Sequence, residues 1–391
     1  MGKNMKKNEK KQIKIGLFSM HTAPYKDPVF EEVSNNKKFD VEIITLFEKA
    51  KTHNEWAEIE PNYENSFLGK HINIPIFGEF HLGLFKILYN GKYDVIMVTG
   101  YYPLTNFILL LYSVFFRKPF IYSADSTSLP LGNIYKENSF KLNLKKYFIN
   151  KSSAIWVPGE ASLQYHHKVL EVDEAKIFKG SYTLDSKYLY NEITQLNLDK
   201  DRFRKSLGLS KDDFVFLFVG KLISNRNIKN LLKAFIEANK ENSNISLIVI
   251  GDGPETSIIT DFVRQHKKTQ VIHINAVTFE ELHSFYSCCD AYVHPGSEPY
   301  SLALVEAVIA GKPILSTNEV GAVYDYVEDD YNGYVVRNND ILALTKAMVK
   351  LSVNRISEDN VKQMQDFIVC ERNKYWASEQ LIEALELAIR K

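Results

Sequence analysis

The sequence predicts an α/β chain of two doubly wound, Rossmann-like domains facing each other across a cleft. Three observations carry this. Short continuous apolar runs alternate with amphipathic stretches of helical period, the pattern of a parallel sheet covered on both faces. The alternation occurs twice along 391 residues, a length that suits two domains of ordinary size. In the second half, polar residues collect at the carboxyl ends of the apolar runs, where doubly wound sheets bind ligands.

In the first half the strand candidates are "IKIGLFSM", "VEIITLF", "HINIPIF", "YDVIMVTG", "PFIYSAD", "AIWVPG" and "KIFKGSY". The run "FILLLYSVFF", from Phe107 to Phe116, is about half the length needed to span a membrane and is expected as a buried core helix. The stretch "SFKLNLKKYFINK" sets Phe140, Leu144, Tyr147 and Phe148 on one helical face and Lys141, Lys145 and Lys146 elsewhere. It packs on the first sheet or, with the lysine-rich start of the chain, rests on anionic lipid. Strand signals stop between Leu184 and Leu198, so the domains are expected at 1–190 and 191–371. Asp199 and Asp201 precede "RFRKSLGL" and are expected to cap a helix.

The second half is more regular. "FVFLFVG", "SLIVIGDG", "VIHINAV", "AYVHPG", "PILST" and "GYVV" each precede a helical stretch. No strand follows the final helix, "YWASEQLIEALELAIRK", and residues 372–391 are expected to cross back onto the first domain.

Composition narrows the function. Basic and acidic residues number 48 each, so charge balance supports no nucleic-acid role. Cys288, Cys289 and Cys370 show neither metal-ligand spacing nor a disulfide framework, which points to a reducing cytoplasm. The start, "MGKNMKKNEKKQIK", leads into a strand and lacks the apolar core of a secretory signal. The expectation is a cytoplasmic protein, at most peripheral on the inner face of a membrane, with no metal and no cofactor.

The chemistry centres on "FVGKLISNRNIKNLL" and "HPGSEPYSLALVEA". Lys221 follows a strand and Arg226 precedes a helix, so both are cations beside a helix N-terminus that already favours anions. A helix beginning near Tyr300 would take Pro299 in its first turn and present amides at Tyr300, Ser301 and Leu302. On such a helix Glu298 and Glu306 would stand roughly 80° and about 12 Å apart. That is too far for one metal ion and suits two grips on an elongated ligand. A nucleoside diphosphate sugar has the required layout, with Glu298 on sugar hydroxyls, Glu306 on the ribose, and the diphosphate between.

In order and spacing, "FVGKLISNRNIKNLLKAF", "GDGP", "AYVHPGSEPYSLALVEAVIAGKPILST" and "GAVYDYVEDDYNGYVV" resemble the family 4 retaining glycosyltransferases of the GT-B fold. The resemblance covers most of Phe214 to Val336, including the E-x7-E signature. It implies that Lys221 and Arg226 contact the donor diphosphate, Glu298 the transferred sugar and Glu306 the ribose, with the turn near Val277 against the base. It also implies retention at the anomeric carbon and a sugar or lipid-linked acceptor, in the setting of bacterial surface polysaccharide or glycolipid assembly. Three positions depart from the family pattern. Lys221 and Arg226 reverse the usual order of arginine and lysine, which are not equivalent in geometry. Ser301 stands where glycine is common. Asp125, in "IYSADSTS", stands where many relatives carry a histidine facing the reacting sugar; it would steady positive charge there or simply cap a turn. Of the histidines, His21 is the best placed for substrate, since it follows the first strand. The rival readings are a nucleotide-sugar epimerase of similar fold, a silent partner of another transferase, and a dinucleotide-dependent oxidoreductase. The last lacks a G-x-G-x-x-G after either leading strand.

Overall fold

The computed structural model describes residues 12–23, 25–48, 61–129, 139–266 and 270–390. The lysine-rich start and the side chains of Phe140 and Lys141 lie outside these described residues. The first domain contains β1 (Ile13–Ser19), β2 (Phe39–Thr45), β3 (Asn65–Phe67), β4 (His71–Ile74), β5 (Gly78–His81), β6 (Val95–Thr99), β7 (Phe120–Ser123), β8 (Ala154–Val157) and β9 (Ile177–Lys179). Seven of these form a parallel sheet in the order β3-β2-β1-β6-β7-β8-β9. The strand expected over "HINIPIF" is not in it. That segment supplies β4 of a separate antiparallel hairpin with β5, and Asn65–Phe67 takes the sheet edge beside β2. Its residues are largely exposed, and a hairpin outside the core does not need the continuous burial of a parallel strand.

The helices of this domain are α1 (Asp27–Ser34), α2 (Leu84–Gly91), α3 (Leu104–Phe115), α4 (Ser139–Lys151) and α5 (Glu160–Gln164). Leu84 and Leu88 of α2, Leu109 and Leu110 of α3, and Phe148 and Ile149 of α4 share one core layer on the sheet. The expectation of a buried helix over Phe107–Phe116 holds for one side only: Phe115 is 81% exposed and Phe116 60%. Helix α4 is divided in the same way. Phe148 is buried, whereas Leu144 and Tyr147 are exposed, so the expected single apolar face is split between core and surface.

Helices α6 (Ser186–Leu196) and α7 (Lys200–Ser206) lead into the second sheet. Asp199 occupies the N-cap of α7 without a side-chain capping bond, and Asp201 lies in its first turn, where the helix dipole favours a carboxylate. The second sheet contains β10 (Phe214–Val219), β11 (Ile245–Ile250), β12 (Gln270–Ile274), β13 (Ala291–His294), β14 (Ile314–Thr317) and β15 (Gly333–Val336). All pairings are parallel, in the order β12-β11-β10-β13-β14-β15. Around it lie α8 (Ile228–Glu241), α9 (Thr256–Gln265), α10 (Phe279–Cys288), α11 (Leu302–Ile309), α12 (Val323–Tyr326), α13 (Ile341–Val353) and α14 (Glu358–Asp366). Phe235 of α8 and Met348 of α13 pack in one core layer, and Tyr286 of α10 and Leu304 of α11 in another.

The last helix, α15 (Lys374–Ile389), returns to the first domain. Its fully buried residues Ala377, Leu381, Ala384, Leu385 and Ala388 recur at helical spacing and pack with Val29, Phe30 and Val33 of α1. Three alanines in that stripe let the helix lie close to the sheet. In each sheet the strand order reverses beside the leading strand, at β1/β6 and at β10/β13. Those are the switch points where loops part and leave room for a ligand. Among the described residues, no helix is long and apolar enough to cross a membrane.

Candidate active site

Two loops of the second domain lock together. After β10, Gly220 and Lys221 lead to a short turn at Ser224–Arg226 that opens α8 through Asn227. After β13, the Ser297 amide donates to Asn225 O at 2.7 Å. Gly296 allows the approach, since a Cβ there would lie 2.2 Å from Asn225 O. Arg226 is thereby directed across the gap. Its Nη1 donates to Ser297 O at 2.8 Å and its Nη2 to Glu298 Oε1 at 2.5 Å.

Glu298 is held from every side. Its backbone pairs with the loop after β14: the Glu298 amide donates to Glu319 O at 2.9 Å, and Gly321 donates to Glu298 O at 3.0 Å. The second carboxylate oxygen lies 3.1 Å from His294 Nε2. Burial pushes the Glu298 carboxyl up, but the His294 hydrogen bond and the Arg226 charge outweigh it and hold it below the ordinary range. Sequence reasoning missed His294. Its only signal was a histidine four residues before the glutamate, which becomes meaningful once β13 ends at His294 and the chain turns back.

The helix expected from Tyr300 begins at Leu302, so Pro299 and Glu298 lie outside it. The estimate of 80° and 12 Å therefore does not describe this pair, since it assumed one continuous helix. Ser301 is the N-cap, at φ 90°, in the left-handed region where glycine is at ease and other residues are not. Its Oγ accepts from the Leu304 amide at 3.4 Å, and its carbonyl accepts from Val305. The amides of Leu302 and Ala303 lie in the first turn, which has no intrahelical acceptors, and both residues line the cleft. The Tyr300 side chain is buried in the core.

Glu306, one turn further along α11, is buried and accepts a 2.7 Å bond from Tyr286 Oη. Burial pushes its carboxyl up to about 7, against the opposing effect of the tyrosine. Val277 precedes α10, whose Thr278 and Glu281 form a capping box. On the opposite wall, Asp125 follows β7 and accepts from Tyr182 Oη at 3.2 Å. The Tyr182 and Tyr25 rings pack at a tilt of 55° with centres 4.5 Å apart, and the buried Lys26 ammonium lies 5.7 Å from the Tyr182 ring centre. Burial lowers Lys26 to about 8, while Asp125 and Asp27 oppose the shift. This cluster was also missed, because "YKDP" and "SYTL" are unremarkable until the fold brings them together.

Glu298, Asp125, Lys221, Arg226, Val277, Tyr300, Ser301, Leu302 and Glu306 all line one cleft of about 650 Å³ between the two domains, and His21 lines it as well. Among the described residues, no group of three or more His, Cys, Asp or Glu is placed to hold a metal ion.

The family model described as Glycosyl transferases group 1 matches residues 199–366. An uncharacterized glycosyltransferase of Methanocaldococcus jannaschii is 26% identical over 270 residues, covering 66% of each chain. The alpha-monoglucosyldiacylglycerol synthase of Acholeplasma laidlawii is 28% identical over 180 residues, covering 45% of this chain and 41% of that protein. The matches thus span from about two fifths to just under two thirds of these relatives. Among solved structures, Anabaena HepE in complex with UDP and glucose superposes with a TM-score of 0.69 at 16% identity, over 96% of this chain and all of that one. Over residues 199–366 the chain is similar to the group 1 glycosyl transferases, and as a whole it has the GT-B fold of glycosyltransferase structures.

Proposed function

We propose that the protein is a glycosyltransferase that moves a sugar from a nucleoside diphosphate sugar to an acceptor with retention at the anomeric carbon. The setting is assembly of a bacterial surface polysaccharide or glycolipid. The observation that carries the reading is the Arg226–Glu298–His294 constellation beside the N-terminus of α11, facing Asp125 across the cleft. The UDP and glucose in the Anabaena structure, and the glycolipid product in the name of the Acholeplasma relative, support a nucleotide-sugar donor and this setting.

In this reading the bond from C1 to the diphosphate oxygen breaks, and its electron pair leaves with the phosphate. The acceptor hydroxyl oxygen bonds C1 on the same face, and its proton passes to a departing phosphate oxygen. Lys221, Arg226 and the amides of Leu302 and Ala303 stabilise the charge growing on that phosphate. Each Glu298 oxygen spends one lone pair on its protein partner and keeps another for a sugar hydroxyl. His294 and Arg226 therefore orient the carboxylate and keep it ionised. Asp125 steadies positive charge at C1 from the acceptor side. The leaving group is neutralised by side chains and amides, without a metal ion.

The test is a panel of nucleotide sugars scored by thermal shift and by release of free nucleoside diphosphate, with a chelator present. One donor should stabilise the protein and turn over. Glu298→Gln should bind the free nucleoside diphosphate normally and lose about 100-fold or more in kcat, the size of effect seen when one transition-state contact is removed. A strict requirement for magnesium, or loss of nucleotide affinity in Glu298→Gln, would overturn the assignment.

A further inference from the structure

Behind the cleft, a carboxylate of the second domain bonds to the backbone of the first. Asp325 of α12 accepts from the Glu160 amide with both oxygens, at 2.9 and 3.2 Å, and Lys179 approaches one of them at 3.7 Å. Gly159, just before that amide, leaves no room for a side chain. A Cβ there would lie 2.1 Å from the Asp325 carboxylate and 2.9 Å from the Tyr300 ring. The Asp325 side chain is only 12% exposed, and burial pushes its carboxyl up to about 6, against the Glu160 amide and Lys179. A buried carboxylate adds little net stability, and the best-attested use of such groups is to fix register between packed parts.

Each side of this contact leads to a residue of the cleft. In the second domain, the Gly321 amide donates to Glu298 O at 3.0 Å and the Ala322 amide to Tyr300 O at 2.9 Å, immediately before α12. Helix α12 is thus tied to the segment that carries Glu298. In the first domain, Glu160 opens α5, and Ser162 Oγ of that helix donates to Ser126 O at 2.8 Å, beside Asp125. A second contact runs in parallel. The Tyr300 ring meets Tyr182 edge-on with centres 5.9 Å apart, and the Tyr182 hydroxyl holds Asp125. The seam therefore joins the part that carries Glu298 to the part that carries Asp125.

We infer that Asp325 is a positioning residue, whose bond to the Glu160 amide registers the first domain on the second so that Asp125 and Glu298 face the same sugar ring. Lys221, Arg226, Glu306 and the amides at the start of α11 all belong to the second domain. They hold the nucleotide wherever the first domain stands. Asp125 reaches the sugar only if the seam is in register, and a misplacement of about 1 Å can cost a reaction about 100-fold. The consequence for transfer rests on the proposed transferase reading; the registration itself does not.

The experiment compares substitutions at the seam. Asp325→Ala should lower kcat about tenfold or more, while affinity for the free nucleoside diphosphate, read by calorimetry, stays level. Asp325→Asn keeps an oxygen for the Glu160 amide and should retain most of the activity. In an Asp125→Ala background, Asp325→Ala should cost no further activity, because it acts through Asp125. Equal losses in the two backgrounds would overturn the assignment. So would weakened nucleotide affinity in Asp325→Ala, or an asparagine variant no better than the alanine. Small-angle X-ray scattering without substrate tests the registration directly: Asp325→Ala should have a larger radius of gyration than wild type, and an unchanged profile would overturn it. Should Asp325→Ala fail to fold, Gly159→Ala wedges the same seam from the first domain and should split kcat from nucleotide affinity in the same way. A wild type that turns over no nucleotide sugar would sink the transferase reading and leave the scattering result standing, so the two can fail independently.

Discussion

Glu298 and Glu306 are eight residues apart, and their surroundings drive their carboxyls in opposite directions. The cation and imidazole beside Glu298 keep it ionised, whereas Glu306 has only a phenol and a buried wall, which raises it to about 7. The unfolded chain releases this proton near 4.5, so between about 4.5 and 7 the native state holds a proton that the unfolded state has lost. Stability from this group is therefore present below that window and falls as pH rises through it, by about 3 kcal/mol in all. Ribose hydroxyls donate best to a carboxylate, so nucleotide binding should draw the proton off Glu306. Calorimetry at pH 7 in buffers of different ionisation enthalpy should show the wild type releasing more protons than Glu306→Gln. The phosphate of the nucleotide titrates equally in both, so it cancels. Equal proton release would remove Glu306 from the ribose contact.

At the scale of elements, the site depends on two loops approaching closer than side chains allow. A Cβ on Gly296 would meet the Asn225 carbonyl at 2.2 Å and the Arg226 backbone at 2.6 Å. Backbone cannot step aside as the end of a flexible side chain can. Gly296→Ala should therefore push the Ser224–Arg226 turn away and separate Arg226 from Glu298. A loss of about 1–3 kcal/mol is expected, as for other overpacked sites, together with a fall in donor turnover larger than the fall in stability explains. Chemical denaturation and kcat/KM measured side by side check this. Wild-type stability in the variant would mean that the loops do not pack this tightly in solution.

At the scale of the molecule, the two domains are joined both at the chain crossing and by the return of α15. Lys374, at the start of α15, pairs with Asp185 at 3.0 Å and Glu32 at 3.5 Å. Across the opposite seam, Asp325 of α12 accepts from the Glu160 amide at 2.9 Å. The apolar stripe of α15 covers one face of the first sheet beside α1, so removing residues 374–391 would expose that core while leaving the second sheet intact. Hydrogen exchange of the truncated chain should show rapid exchange through β1, β6, β7 and β8 and continued protection in β10, β11 and β13. Uniform protection would show that the first domain does not need the helix.

Much of this was legible in the residues themselves. Continuous apolar runs report burial on both faces, so the alternation with helices pointed to parallel sheets, and the ordered turns of the second half placed Lys221, Arg226 and Glu298 in the loops that follow strands and Glu306 on the helix after one of them. Ser301 was marked as an oddity, and its φ of 90° supplies the reason. Periodicity is local, however, and it reports that a stretch is buried without saying what covers it. Only the tertiary structure put His294 on Glu298, Tyr182 on Asp125, and Lys26 beneath the tyrosines: the first depends on where β13 ends and how the next loop turns, the others on strands far apart in sequence coming side by side. It also moved His71–Ile74 out of the main sheet and left Leu111 and Phe115 of α3 exposed, because a surface hairpin and a one-sided helix can carry the same apolar residues as a core. Hydrophobic pattern sets how much surface each element must hide; sheet order and loop contacts decide which polar groups then meet.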